Sequence, residues 1–488
     1  MSRYKIVPRI ILIIITMLAF TQCSDWLDLE PENDLIEDEF WRKGEDVEAM
    51  LAATYNSWRE NALNNLMLGE VRGDMVKFIG SSFSDYNRIA QSDITTTNSK
   101  VNWAGYYSTI NLANTLMYYA PTVLERDPTF TIAQKESIES EALFIRSLSY
   151  FYLVRIWKEV PLVLNPMISD TVNVFLPKSS ESEVLRQIVT DLKRAEEIAY
   201  HDEFSSNALL YKGRANIYSI WALMADVLLW QENYTECIKY CDKIITSGKF
   251  ELESQNNWFK LYYPGNSMSE SIFEIQYSAA HKQTNPIFYN VINLGSTKTT
   301  INMVGTATLA QLYNIADIRK LNVDITAAWP GKKYAAKDIN NSYRIPTEND
   351  VNFIVYRYAE IQLMKAEALA ELGEIEEVNA IIENISNRSN GMYEGIGDID
   401  KLRVAVLTER AREFAAEGKR WFDILRYAKR DDFKRKQYII NMVLSNASVQ
   451  QRAILETKVT DTMSYYLPIP ENEITFNPSL IQNSYYDR

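Results

Sequence analysis

The sequence predicts a mostly α-helical protein, a stack of about four helix pairs interrupted by irregular, loop-rich insertions that form a ligand-binding lobe. Three observations predict it. Glycine and proline are scarce, 16 and 14 in 488 residues, which leaves little room for tight turns. Leu, Ala, Glu and Ile recur at helical spacing over much of the chain. Two helix pairs also repeat one another's packing pattern: Ala225, Cys237, Cys241 and Ile244 stand at the same offsets as Ala366, Val378, Ile382 and Ile385.

Taken in order, the chain opens on a basic stretch (1–9) and an apolar one (10–20). About 11 apolar residues fall short of the roughly 20 that span a bilayer, so 1–22 reads as a signal peptide and the protein as exported. An acidic tether, 23–45, leads to a helix near 46–61. Residues 66–101 are broken and polar. Helices follow near 103–120, 132–158, 181–200, 213–231 and 234–247. Between 250 and 350 the texture changes, with a strand-like ESIFEIQY followed by loops rich in Gly, Asn, Pro and aromatics. Helices return near 354–372, 375–388, 399–416 and 419–430, and the tail 464–488 is irregular. The division expected is an N-terminal region, 46–345, holding both insertions, and a C-terminal region, 346–488.

The shared offsets of 12, 4 and 3 between the two pairs resemble the tetratricopeptide pattern, in which small residues let paired helices approach closely. Pairs at 132–200 and 399–430 extend the stack to four. Cys237 and Cys241 occupy positions held by Val and Ile in the other repeat, so they read as small buried apolar residues. Two interruptions of this length on a rigid scaffold are where binding residues concentrate, and the two are expected to pack together beside the helices.

Composition excludes several classes. A net charge of −13 and the lack of a basic stripe argue against nucleic acid as partner. His201 and His281 are the only histidines and read as ordinary surface or core residues. With no further Cys or His to complete a site, no metal or other cofactor is expected. Glu409, Arg410, Glu413 and Glu417, followed by Arg420, Asp423 and Arg426, lie at spacings that pair carboxylates with guanidiniums within and between helices. A glycosidase would also need two carboxylates about 5–10 Å apart. Acids already matched to cations on a packed helix pair read as scaffold.

Five segments carry a family resemblance: CSDWLDLEP (23–31), EALFIRSLSYFYLVRIWKEVPLVL (141–164), VYRYAEIQLMKAEALAELG (355–373), ERAREFAAEGKRWFDILRY (409–427) and FNPSLIQN (476–483). In this order and at these separations the chain resembles the SusD/RagB family of outer-membrane nutrient-binding lipoproteins. It departs at Lys158 and Glu159, where members often carry Gly, and after Asn483, where the usual glycine is missing. The resemblance implies a non-catalytic, lipid-anchored protein on the cell surface. It would capture an oligosaccharide and pass it to a SusC-like TonB-dependent transporter. Members that present peptides leave peptide as the alternative ligand; a tetratricopeptide-type envelope scaffold and a surface glycosidase are the competing classes. Cys23, after the leader and before an acidic sequel, is the expected lipidation site, although Gln22 is bulkier than the usual preceding residue.

A glycan binder needs flat aromatic faces for sugar C–H surfaces and polar groups at the rim for hydroxyls. In the first insertion and the helix start after it, the candidates are Asp74, Tyr86, Arg88, Asn102 and Trp103. In the second they are Trp258, Tyr289, Trp329 and Tyr334. Trp329, in the loop TAAWPGKKY, is the foremost; Trp103 opens a helix and reads equally as an interhelix anchor.

Overall fold

The computed structural model describes residues 40–78, 85–168, 173–199, 208–287, 303–322, 331–337, 344–345 and 347–487. The expected leader, Cys23 and most of the acidic tether lie outside them, as do His201, Tyr289 and Trp329. The helical stack is α1 (Gly44–Arg59), α2 (Ala104–Arg126), α3 (Ile132–Trp157), α4 (Glu181–Ile198), α5 (Ile217–Trp230), α6 (Tyr234–Thr246), α7 (Tyr358–Leu372), α8 (Ile375–Arg388), α9 (Ile399–Phe414) and α10 (Arg420–Phe433). Each packs on the next in chain order, so the four expected pairs are present and α1 with α2 adds a fifth in front.

Local chemistry sets these boundaries. Thr131 and Ser180 each accept from the third residue of their helix, and Gln134 and Glu183 reach back to close capping boxes. Asn216 and Asp398 cap α5 and α9. Gly373, at φ +91°, takes the left-handed turn that ends α7. Helix α3 is buried on every side from Ser140 to Trp157, which marks it as the central element. Its charges are matched inside: Arg146 forms two parallel bonds to Asp191 at 2.8 and 2.9 Å, and Glu141 holds Arg214. The thiols of Cys237 and Cys241 are buried in the repeat core, and Val378 and Ile382 are buried at the matching positions.

Four stretches depart from expectation. Helix α2 runs through Pro121 to Arg126, because Ala120 and Val123 pack into a cluster with Val47 and Leu51 that outweighs the proline. The start of the expected 354–372 helix is a strand, Phe353–Arg357, whose β-branched and aromatic residues are buried on both faces. Residues 62–70, overlapping the supposedly broken segment, form a helix that buries Leu66, Met67 and Leu68 against α10. Residues 431–463, unassigned from sequence, include α11 (Gln437–Asn446) and α12 (Val449–Thr460).

The two insertions do pack together. Strand β1 (Val76–Phe78) of the first pairs antiparallel with β3 (Met303–Gly305) of the second. Strand β2 (Ser271–Ile275) pairs with β4 (Phe353–Arg357), which leads into α7. The first insertion is bolted to α10 by Asp74, which receives both Nε and Nη2 of Arg420 at 2.7 Å. At the centre Arg357 donates to Glu270, Glu413 and Glu417, and Arg388, Arg319 and Lys333 complete a network whose members other than Arg388 are buried. These acids of α9 and the turn after it are engaged by cations, as the spacing implied.

Helix 62–70 meets the turn before α10 so closely that a Cβ on Gly69 would sit 1.9 Å from the carbonyl oxygen of Gly418. Beside this contact, Glu70 accepts from Gly418 N–H at 2.8 Å, and its other oxygen is buried with no partner among the described residues. Burial pushes its carboxyl up from 4.5 to about 8, only partly offset by Gly418 N–H, Lys333 and Arg420. An acid neutral in the fold but ionised when unfolded favours the fold below about 4.5; that advantage is lost as pH rises through about 8. Glu70→Gln is expected to flatten the loss of stability between about pH 5 and pH 8.5 by ~1 kcal/mol or more, read from denaturation midpoints. An unchanged slope would show that Glu70 is ionised in the fold.

Candidate ligand groove

One wall of the groove is the loop before α2. Asp85 accepts from the N–H and hydroxyl of Ser99 at 3.0 and 2.6 Å, and Asn98 donates to the Asp85 carbonyl at 3.0 Å. The Ser99 hydroxyl, followed by its N–H, holds the Asp85 carboxyl below its ordinary value despite partial burial. These bonds fix residues 96–102 as a stiff rim.

The other wall comes from the tail. After α12 the chain crosses the end of α3, where Leu467 N–H donates to the Ile156 carbonyl at 2.8 Å and Trp157 Nε1 to the Pro468 carbonyl at 2.9 Å. A short helix, Glu471–Phe476, then faces the rim. Glu471 N–H donates to the Thr96 carbonyl at 3.2 Å, tying the two walls together.

Between them lies an open groove of about 740 Å³. Its polar surface is Thr96, Thr97, Ser99 and Asn102 on the rim, and Glu471, Asn472 and Thr475 on the tail. At its mouth Phe476 is 65% exposed, and Phe175, 43% exposed, stands with its ring centroid 5.7 Å away at 43°. Asn477 Nδ2 donates to the Leu176 carbonyl at 2.9 Å and so holds the two phenyl-bearing segments together. Hydroxyls, amides and one carboxylate beside two exposed rings suit a ligand with both apolar faces and hydroxyl edges.

Of the residues singled out from sequence, Asn102 lines this groove, with Oδ1 accepting from Ala104 N–H at 2.8 Å. Trp103 is buried directly behind it against Trp157, ring centroids 5.8 Å apart, and serves as the interhelix anchor. Asp74 is consumed by Arg420. Tyr86 is buried with its hydroxyl donating to Asn64 at 3.0 Å. Arg88 is at the surface, 3.3 Å from Asp93. Trp258 is fully buried against Tyr262, and Tyr334 is buried with its hydroxyl donating to the Ala416 carbonyl at 3.0 Å. Four rings expected to face ligand are therefore core residues, because the second insertion and the first fold onto the stack and bury them. Trp329 and Tyr289 lie outside the described residues.

Phe175 and Phe476 were missed. Phe476 opens FNPSLIQN, which reads as scaffold, and Phe175 lies in the linker between α3 and α4. A large apolar side chain in such a linker was the available signal.

A smaller hollow of about 270 Å³ lies between α1 and β2, lined by Tyr55, Arg59, Arg214 and Gln276 among others. Its polar groups are engaged: Tyr55 donates to Glu141 at 2.6 Å, Arg214 pairs with both Glu141 and Glu48, and Arg59 lies 5.6 Å from the centre of the Tyr277 ring. Among the described residues no helix is long and apolar enough to cross a membrane.

These elements define a helical-repeat scaffold that carries a loop-built groove. Two family models match the chain. The SusD family model covers residues 326–486, and the model described as "Starch-binding associating with outer membrane" covers 25–229. A SusD-like protein of Formosa agariphila is 26% identical over 485 residues, spanning 88% of this chain and 93% of the relative. A second from that organism is 24% identical and spans 99% of both chains. Among solved structures, a SusD superfamily protein from Bacteroides vulgatus superposes with a TM-score of 0.75 at 22% identity, covering 91% of this chain and all of the other. The surface glycan-binding protein A from Bacteroides uniformis gives 0.71 at 20% identity, covering 90% and 99%. The chain belongs to the SusD/RagB family.

Proposed function

We propose that the protein is an outer-membrane lipoprotein that holds an oligosaccharide at the cell surface and delivers it to a SusC-like TonB-dependent transporter. The observation that carries the glycan reading is the exposed Phe175 and Phe476 pair at the mouth of a groove rimmed by hydroxyls and amides. Sugar rings present C–H faces that pack on phenyl rings, while their equatorial hydroxyls need acceptors and donors at the edge. A peptide ligand would instead call for backbone edges to pair with.

Binding without cleavage fits the charges. A glycosidase flanks the scissile bond with two carboxylates about 5–10 Å apart. Among the described residues the groove lining holds one, Glu471, and the acids of α9 and the turn after it are buried in ion pairs. Soluble protein beginning after Cys23 is expected to be retarded in gels containing a matching polysaccharide and to release no reducing ends from it. Release of reducing ends would make the protein an enzyme; retardation by none of a broad polysaccharide panel would remove the glycan reading.

Attachment is assigned to Cys23, after removal of 1–22. One acyl chain binds membranes only marginally, but two or three, at about 0.8 kcal/mol per buried CH₂, hold durably. Mass spectrometry of the native protein is expected to find an acylated N-terminal peptide starting at Cys23; an unmodified one would overturn the anchor.

A further inference from the structure

Charge narrows the ligand further. Among the described residues the groove is lined by one carboxylate, Glu471, and by no Lys, Arg or His. The cations closest to it along the chain are engaged: Lys100 lies 5.2 Å from the centre of the Tyr86 ring, and Lys178 pairs with Glu159 at 2.8 Å. Glu473 adds a second acid on the same short helix, in a chain of net charge −13.

We infer that the groove takes an uncharged glycan and rejects polysaccharides that carry uronate or sulfate groups. This rests on the reading of the groove as a glycan site. An anionic sugar ring would bring its charge beside Glu471 with no counter-charge, and the surrounding field of the protein would repel the rest of the polymer. Neutral hydroxyls meet no such penalty. They can donate to the Glu471 carboxylate and accept from the threonine and asparagine side chains of both walls.

The test is affinity gel electrophoresis of the soluble protein beginning after Cys23, wild type and Phe476→Ala. The neutral gels contain amylopectin, xyloglucan, galactomannan or laminarin; the anionic gels contain polygalacturonate or chondroitin sulfate. Each is run at low and at physiological salt. At least one neutral polysaccharide is expected to retard the wild type, with at least a fivefold loss of affinity in Phe476→Ala, and neither anionic one is expected to retard it at either salt. Retardation by an anionic polysaccharide that Phe476→Ala abolishes would overturn the charge inference and leave the groove as a glycan site. Retardation indifferent to Phe476→Ala, or none with any polysaccharide, would overturn both.

Discussion

Arg357→Met is expected to lower stability by about 3–5 kcal/mol at neutral pH, the cost of stripping the partner from buried charges. Arg357 is completely buried. It donates to Glu270 at 2.7 Å, to Glu413 at 2.6 Å and to both oxygens of Glu417 at 3.0 Å, with a further bond to the Glu413 carbonyl. Methionine keeps much of the stem's volume, so the loss reports charge and not a cavity. The remaining cations, Arg388, Arg319 and Lys333, are already committed to the same acids.

Acid should narrow the difference. Burial pulls the Glu417 carboxyl upward, but Arg357 and Lys333 outweigh it and hold it at about 2. Glu413 is likewise held well below its ordinary value, with Arg388 and Arg357 overcoming the burial. A depressed carboxyl contributes stability above its unfolded value of 4.5, and the contribution is lost as pH falls towards about 2. Without Arg357 these acids take up protons more readily, so denaturation midpoints of variant and wild type should converge as pH falls from about 5 towards about 2. A variant that matches the wild type at neutral pH would mean the network contributes nothing there.

The second large effect concerns binding. Phe175→Ala combined with Phe476→Ala is expected to weaken retention by the cognate polysaccharide at least ~30-fold, and each single change by about 5–10-fold, in line with stacking worth roughly 1 kcal/mol per ring. Because the rings touch, the pair need not equal the product of the single changes. Both side chains are exposed, so the thermal midpoint should stay within about 2 °C of the wild type. Tyr118→Ala makes the control: it is 57% exposed on α2, about 21 Å along the helix from Ala104. If the double variant is retarded like the wild type, the groove is not the site.

The scaffold was largely readable because it obeys one period. Helix α8 was placed to the residue, and the match between Ala225–Ile244 and Ala366–Ile385 identified packing positions that are all buried. Reading failed where tertiary contacts overrode local pattern. VNFIVYRYAE runs from strand to helix without a turn residue, so its boundary has no local marker. Pro121 reads as a stop, yet the contacts of Val123 carry the helix past it. The site was harder still. Aromatics near loops were taken as exposed, but Trp258 and Tyr334 are folded inward, while the rings that are exposed come from segments that looked like linker and tail. Asn102 does line the groove, because it stands at a helix start, where position is local. The facing wall is Glu471, 375 residues from its partner Thr96, a pairing that no local pattern encodes.

That separation matters during biogenesis. A chain still being synthesised can build its repeats one after another, yet it owns half a groove until residues 470–476 arrive and settle against Thr96. A product broken off before Pro470 would keep most of its helices and grasp nothing. Placing the last wall so late ties completion of the groove to completion of the chain.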